Sequence, residues 1–288
     1  MHITMKKQNK KTVLMVSVLV ILCLGIWTLW GNNALEVNEY EIVSDRIPEA
    51  FSGFRIAQVS DLHNAEFGED NEKLITMLSQ TDPDIIVITG DLIDSRRTDV
   101  EIALKFAQQA VRIAPVYYVS GNHEARVMEY EELKKSLMDA GVTMMDNQKV
   151  EISREGENIT LMGIDDPSFQ ESYLFGDAEG VARKAISDLQ NESDGYTILL
   201  SHRPELFDTY VDAGVDLVFS GHAHGGQFRL PFVGGLVAPN QGLFPEYDAG
   251  QFTRENTTML VSRGVGNSII PVRFNNRPEI VVAQLKSQ

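Results

Sequence analysis

The chain has 288 residues, 43% of them apolar and 23% charged, with 22 Gly, 10 Pro and one Cys, a composition that fits one large globular domain plus an appendage and excludes collagen, coiled coil and low-complexity disorder. The formal charge of −16 is unevenly placed: no acidic residue precedes Glu36, and without Lys6, Lys7, Lys10 and Lys11 the body carries 21 basic against 41 acidic residues, or −20. Such a body leaves no basic surface for extended nucleic-acid binding, although a phosphate ligand held by bound cations stays open.

Residues 1–11 read as a basic cytoplasmic leader and residues 12–30 as a transmembrane signal anchor. The run TVLMVSVLVILCLGIWTLW holds 19 residues without a charge, enough at about 1.5 Å per residue to cross most of a ~30 Å hydrocarbon layer. Lysines before it and Glu36, Glu39 and Glu41 after it predict a cytoplasmic N-terminus and an extracytoplasmic body. Residues 31–34 match a small-residue cleavage site weakly, so the segment is read as retained, with secretion after cleavage as the alternative. Cys23 lies inside the apolar run and is read as a packing residue; a lone Cys allows no intrachain disulfide.

Residues 31–50 read as a linker and first strand, and residues 51–288 as the catalytic body. From residue 51 short β-rich runs alternate with helical periodicity: FRIAQVS then NEKLITMLSQ, DIIVITG then VEIALKFAQQAVRI, PVYYVSG then EYEELKKSLMDAG, and later TILLS and DLVFSG. Val and Ile runs bounded by helices predict buried sheet with helices on its faces. ENITLMGID, TTMLVSRG and EIVVAQLK, set among Gly, Pro and Asn, are expected to complete a second sheet. The fold class expected is α/β, a layered α/β/β/α sandwich of two mixed sheets.

The chemistry is carried by histidine. Besides His2 there are five, His63, His123, His202, His222 and His224, and each follows one of those strand candidates within a few residues. Carboxyl ends of strands are where ligands bind in open α/β sheets, so the five are expected to converge on one edge. Asp61 stands in DLH, Asp91 and Asp94 in GDLID, Asn122 in GNHE, and Gly221 introduces HAH. Imidazole mixed with carboxylate suits Mn, Fe or Zn. In an extended segment residues two apart point the same way, so Asp61 with His63, and His222 with His224, can each give one site a pair. Glycines 90, 121 and 221 allow sharp turns that bring backbone close to the ligands.

DLH, GDLID, GNHE, the isolated SH at Ser201 and His202, and GHAHGG, in that order, resemble the motif set of the calcineurin-like metallophosphoesterases over roughly residues 51–285. Within that superfamily the stretch from GHAHGGQFRLPF to PEYDAG, with VSRGVGNS and RFNNRPEI, is similar to a bacterial membrane-associated or exported phosphodiesterase-like branch. The resemblance implies two metal ions bridged by a carboxylate. Asp61, His63 and His224 would bind one ion, Asn122, His202 and His222 the other, and Asp91 would bridge them. It implies hydrolysis of phosphoesters, diesters foremost, by attack of a metal-bound hydroxide, with phosphomonoester or nucleotide hydrolysis as the alternative and an inactive metal-stabilised scaffold as the non-enzymatic one. His123 would act as acid or electrostatic stabiliser at the leaving group, with Asp94 orienting it. Two divalent ions would make the site locally cationic inside an acidic body.

Other residues have simpler readings. Asp94 has a helix cap as its alternative role, Glu124 reads as the start of a solvated helix, and Asp165 and Asp166 as a turn before Pro167. Arg203 and Arg263 are read as solvated or structural. Aromatics between residues 228 and 247, among them Phe228, Phe232, Phe244 and Tyr247, and YLF at residues 173–175, are candidates for an apolar lip that takes a lipid-linked phosphoester. Oligomeric state is not legible in the sequence.

Overall fold

The structure, a computed structural model, describes residues 3–190, 195–267 and 269–288, with side chains from residue 10 onward. His2 and the side chains of Lys6 and Lys7 in the leader lie outside the described residues. One helix, α1 (Ile3–Asn33), precedes the body; its segment Lys10–Asn33 is long and apolar enough to cross a membrane, and its most apolar 18 residues are not buried against the body.

In the body the order is β1 (Glu36–Ser44), β2 (Arg55–Val59), α2 (Glu72–Gln80), β3 (Ile85–Thr89), α3 (Val100–Ala110), β4 (Val116–Val119), α4 (Tyr130–Asp139), β5 (Thr143–Met144), β6 (Gln148–Arg154) and β7 (Glu157–Gly163). Then follow α5 (Ala178–Gln190), β8 (Thr197–Leu200), α6 (Phe207–Asp212), β9 (Leu217–Ser220) and four two-residue strands, β10 (Arg229–Leu230), β11 (Gly234–Gly235), β12 (Val237–Ala238) and β13 (Gly242–Leu243). The chain closes with β14 (Gly250–Arg254), β15 (Thr257–Val261) and β16 (Glu279–Ser287).

Two six-stranded mixed sheets lie face to face, one ordered β1-β16-β2-β3-β4-β5 and the other β14-β15-β9-β8-β7-β6. Their strands show why the layers form. In β3, Ile86 and Ile88 pack toward α2, α3 and α4 while Ile85 and Val87 pack between the sheets. In β8 and β9, Ile198, Leu200, Leu217 and Phe219 enter that same inter-sheet layer, and Leu199 and Val218 meet α5 and α6. Both faces of each central strand are therefore apolar, as a period-2 backbone between two covering layers requires. Each such side chain contributes about 1.5–3 kcal/mol on burial. This is the expected α/β/β/α order.

One assignment differs. EIVVAQLK was expected in the second sheet, yet β16 lies in the first, parallel to β1 and antiparallel to β2. Nine register pairs between β1 and β16 satisfy a backbone ladder that no local sequence pattern announces.

Candidate metal centre

The parallel strands β2, β3 and β4 of one sheet and β8 and β9 of the other release their chains at the same edge, and the sequence-expected residues lie in those exits. Asp61, His63, Asp91, Asn122, His123, His202, His222 and His224 are all buried there. Five of them, Asp61, His63, Asp91, His222 and His224, hold left-handed backbone with φ between 46° and 66°. Non-glycine residues reach that region at a cost of order 1–3 kcal/mol each, so the surrounding fold imposes it. Glycine is needed where two exits meet: Gly90 has φ +86°, and a Cβ there would stand 2.6 Å from His202 Nδ1.

The left-handed turns change the expected geometry. Asp61 and His63 do face one cluster, but not through extended backbone, and His222 and His224 diverge into two. Three groups of donor atoms overlap: Asp61, His63 and His224; His63, Asp91 and His123; and Asp91, His202 and His222. In the first, His63 Nε2 lies 3.1 Å from His224 Nε2, and Asp61 Oδ1 is 3.3 Å from His224 Nε2. In the last, His222 Nδ1 lies 3.1 Å from His202 Nε2. Asp91 Oδ2 joins them, 3.5 Å from His63 Nε2 and 3.3 Å from His202 Nε2.

Hydrogen bonds behind these atoms fix their direction. His202 Nδ1 donates to Thr89 O at 2.7 Å, which turns Nε2 toward Asp91. Asp61 accepts from Ser60 Oγ (2.6 Å) and from the His222 amide (3.1 Å). Asp91 Oδ1 accepts from the His123 amide at 2.8 Å, leaving Oδ2 to face the imidazoles. Asn122 Oδ1 is buried with no partner among the described residues. An orphaned buried acceptor in a site of five imidazoles and two carboxylates fits a cation of the Mn, Fe or Zn kind.

The electrostatics agree. Burial works against charge on Asp61, but the surrounding imidazoles prevail and hold it at about 2. Burial also opposes charge on His202, and Asp91 outweighs it, raising His202 to about 10. A proton thus stands where a cation would. Burial keeps His224 neutral, lowered to about 3, and lowers His222 as well.

His123 sits apart in role. Its Nδ1 accepts from Ser95 N at 2.9 Å, with Ser95 Oγ at 3.1 Å, so the neutral ring carries its proton on Nε2. Burial lowers its pKa to about 4. Asp94, expected to orient it, stands 3.8 Å from Nδ1, beyond a hydrogen bond, and accepts instead from the Arg96 amide. Asp94 caps neither α3, whose N-cap is Asp99; it shapes the turn that presents Ser95.

Sequence reasoning missed two groups. Glu124 does not begin a solvated helix. It is fully buried, accepting from the amides of Asp91 (2.9 Å), Ile93 (3.2 Å) and Gly121 (2.7 Å), and burial followed by the Asp91 charge raises it to about 7. Arg203 is 2% exposed, structural as expected but not solvated, with Nη2 2.8 Å from Asp166 Oδ1 and Nη1 3.2 Å from His222 Nε2. Asp166 also caps the turn at Pro167 through the Ser168 amide, as its place in the sequence suggested. Buried charge with its partner elsewhere in the chain leaves no local pattern; the GNHE context was the only signal for Glu124.

Above the donors opens a cleft of about 300 Å³, with His123, His222, His224 and Arg203 on its floor and Ile269 and Ile270 on its rim.

The family model for calcineurin-like phosphoesterases matches residues 54–226, which contain every donor named above. An uncharacterized metallophosphoesterase of Bacillus subtilis, YkuE, is 32% identical over 88% of this chain and 86% of its own length. A zebrafish (Danio rerio) transmembrane protein with a metallophosphoesterase domain is 29% identical over 94% of this chain and 62% of its own. Among solved structures, TT1561 of Thermus thermophilus shares the fold at a TM-score of 0.51 and 15% identity, over 74% of this chain and 91% of that one.

Proposed function

The chain belongs to the calcineurin-like phosphoesterase family, a family of metal-dependent phosphoric ester hydrolases, and from that membership we propose that it hydrolyses phosphodiesters at the extracytoplasmic face of a membrane. The reading gives Asp61, His63 and His224 to one ion, Asn122, His202 and His222 to a second, and Asp91 to both. The observation that carries it is Asp91 Oδ2, shared at 3.3–3.5 Å between His63 and His202. When bound, such a pair of ions supplies an acidified water and neutralises charge at the phosphoryl oxygens.

The chain's own residues do the rest. Ser95 holds His123 in the tautomer that carries its proton on Nε2, the proton it would donate toward a departing oxygen, and Asp94 acts through the turn that carries Ser95. Arg203 is neutralised by Asp166, which supports a singly charged diester over a dianionic monoester. The apolar wall at Val237, Ala238, Ile269 and Ile270 supports a substrate with a second ester substituent. Membrane placement rests on α1 with its lysines before and its acidic residues after the apolar run.

His123→Ala is expected to keep its metal and fold while kcat on bis-p-nitrophenyl phosphate falls about 10²-fold or more. Unchanged turnover in that variant removes the role given to His123. Faster hydrolysis of p-nitrophenyl phosphate than of the diester by the parent would favour the monoester reading.

A further inference from the structure

The end of α1 is not loosely tethered. Only Ala34 and Leu35 separate it from β1, and both carbonyls accept from Arg277, at 2.8 and 2.7 Å. The Arg277 guanidinium lies over the Trp30 ring, 5.1 Å from its centre. Asn32 pairs in both directions with the backbone of Arg273: its Nδ2 donates to Arg273 O and its Oδ1 accepts from Arg273 N, each at 2.8 Å. Asn267 Nδ2 reaches the same Oδ1 at 3.3 Å. The strand of chain leading to Arg273 is the one that carries Ile269 and Ile270 on the cleft rim. Trp27 and Trp30, paired at 5.5 Å, mark this end of the helix with the residues that favour a membrane interface.

A second loop is fastened to that strand. Gln227 Nε2 donates to Ile270 O (2.8 Å) and Val272 O (2.7 Å), and Arg229 N donates to Phe274 O (2.9 Å). Beyond Arg229, residues 230–244 contain no charged residue, nor do residues 264–272, in a body whose net charge is −20. Both stretches display large apolar side chains to solvent: Phe232 is 108% exposed, Phe244 59% and Ile269 65%. Phe232 and Phe244 are also held at φ of +67° and +55°, a costly conformation for aromatic residues.

Resting on the reading of a membrane-anchored hydrolase, we infer that this uncharged rim is a bilayer-docking face, which seats the cleft on the leaflet surface and selects phosphoesters presented by a lipid. The helix end sets the level of the rim, since Asn32 and Arg273 allow no free linker between them. Apolar groups at that level enter the interfacial zone by about 5–10 Å, and an acidic surface there would be repelled by anionic lipid. The uncharged stretches occur where the rim needs them.

The test uses the full chain in phosphatidylcholine vesicles with lipids brominated near the glycerol end of the acyl chains. In a Trp27→Phe/Trp30→Phe background, Ile269→Trp and Phe244→Trp are expected to be quenched about twofold, as groups a few ångströms below the interface. Val43→Trp, seven residues along β1 from Glu36 and thus about 23 Å away, is expected to stay bright. Quenching of native Trp30 in the parent without quenching at residues 269 and 244 overturns the docking face, as does equal quenching at residue 43. Native tryptophans that are not quenched would instead remove the anchor itself. In turnover, Phe232→Ser/Phe244→Ser should lower kcat/KM about tenfold on a phosphatidyl p-nitrophenol diester in vesicles and leave bis-p-nitrophenyl phosphate in solution within about twofold. Equal loss on both substrates, or on neither, overturns selection by the rim; a parent inactive on both fails the hydrolase reading and leaves quenching to decide the docking.

Discussion

At the residue scale the centre depends on donors held by partners that ordinary loops lack. His222→Ala removes one donor from the group with Asp91 and His202, and metal analysis should find its occupancy reduced; content equal to the parent would contradict the ligand assignment there. Glu124→Ala would leave three buried amides without an acceptor and is expected to cost about 3 kcal/mol in denaturant unfolding of the metal-free protein, with Glu124→Gln recovering part. The protonation of His202 gives a pH prediction. Its pKa in the metal-free fold is raised to about 10, from an ordinary 6.5, so it carries a proton throughout that window and loading must displace it. Apparent metal affinity should therefore rise with pH, about tenfold per unit for each proton released, between 6.5 and about 10. Calorimetry in two buffers of different ionisation heat counts the protons. In the same window the stabilisation that proton gives the metal-free fold runs the other way, complete below 6.5 and lost as pH rises through about 10. Histidines and carboxylates behind strand-like runs were legible in the sequence because their chemistry is local to each motif. Ser95 taking the place expected of Asp94 was not, since a backbone amide has no signature in side-chain identity.

At the element scale the helices and central strands were legible wherever periodicity was unbroken, as in VEIALKFAQQAVRI and DIIVITG, which became α3 and β3. The place of β16 was not, because the partner of an apolar strand is chosen by topology and not by its own pattern. The same holds for the strand exits. HAH looks like a pair on one face, but left-handed φ at His222 and His224 sends the two rings to different clusters. Gly90→Ala tests that these turns are imposed. Its positive φ and the approach to His202 predict a loss of about 1–3 kcal/mol and reduced metal occupancy, measured by unfolding and by metal analysis. Native stability and metal content in that variant would mean that the exits tolerate other conformations.

At the scale of the whole molecule, charge and layering explain why an acidic chain hydrolyses acidic substrates. Most of the −20 of the body is surface charge, whereas the cleft floor carries imidazoles and a neutralised arginine around two carboxylates, so cations bound there reverse the local sign. The sandwich brings strand exits of two sheets to one edge, which is how donors 163 residues apart, from Asp61 to His224, share a centre a few ångströms wide. The claim most open to direct test is that turnover needs two ions joined through Asp91. Protein stripped with a chelator would be titrated with Mn²⁺ while hydrolysis of bis-p-nitrophenyl phosphate is followed. Activity that stays low through the first equivalent and appears with the second is the result predicted; full activity at one equivalent, or activity without metal, would contradict the account.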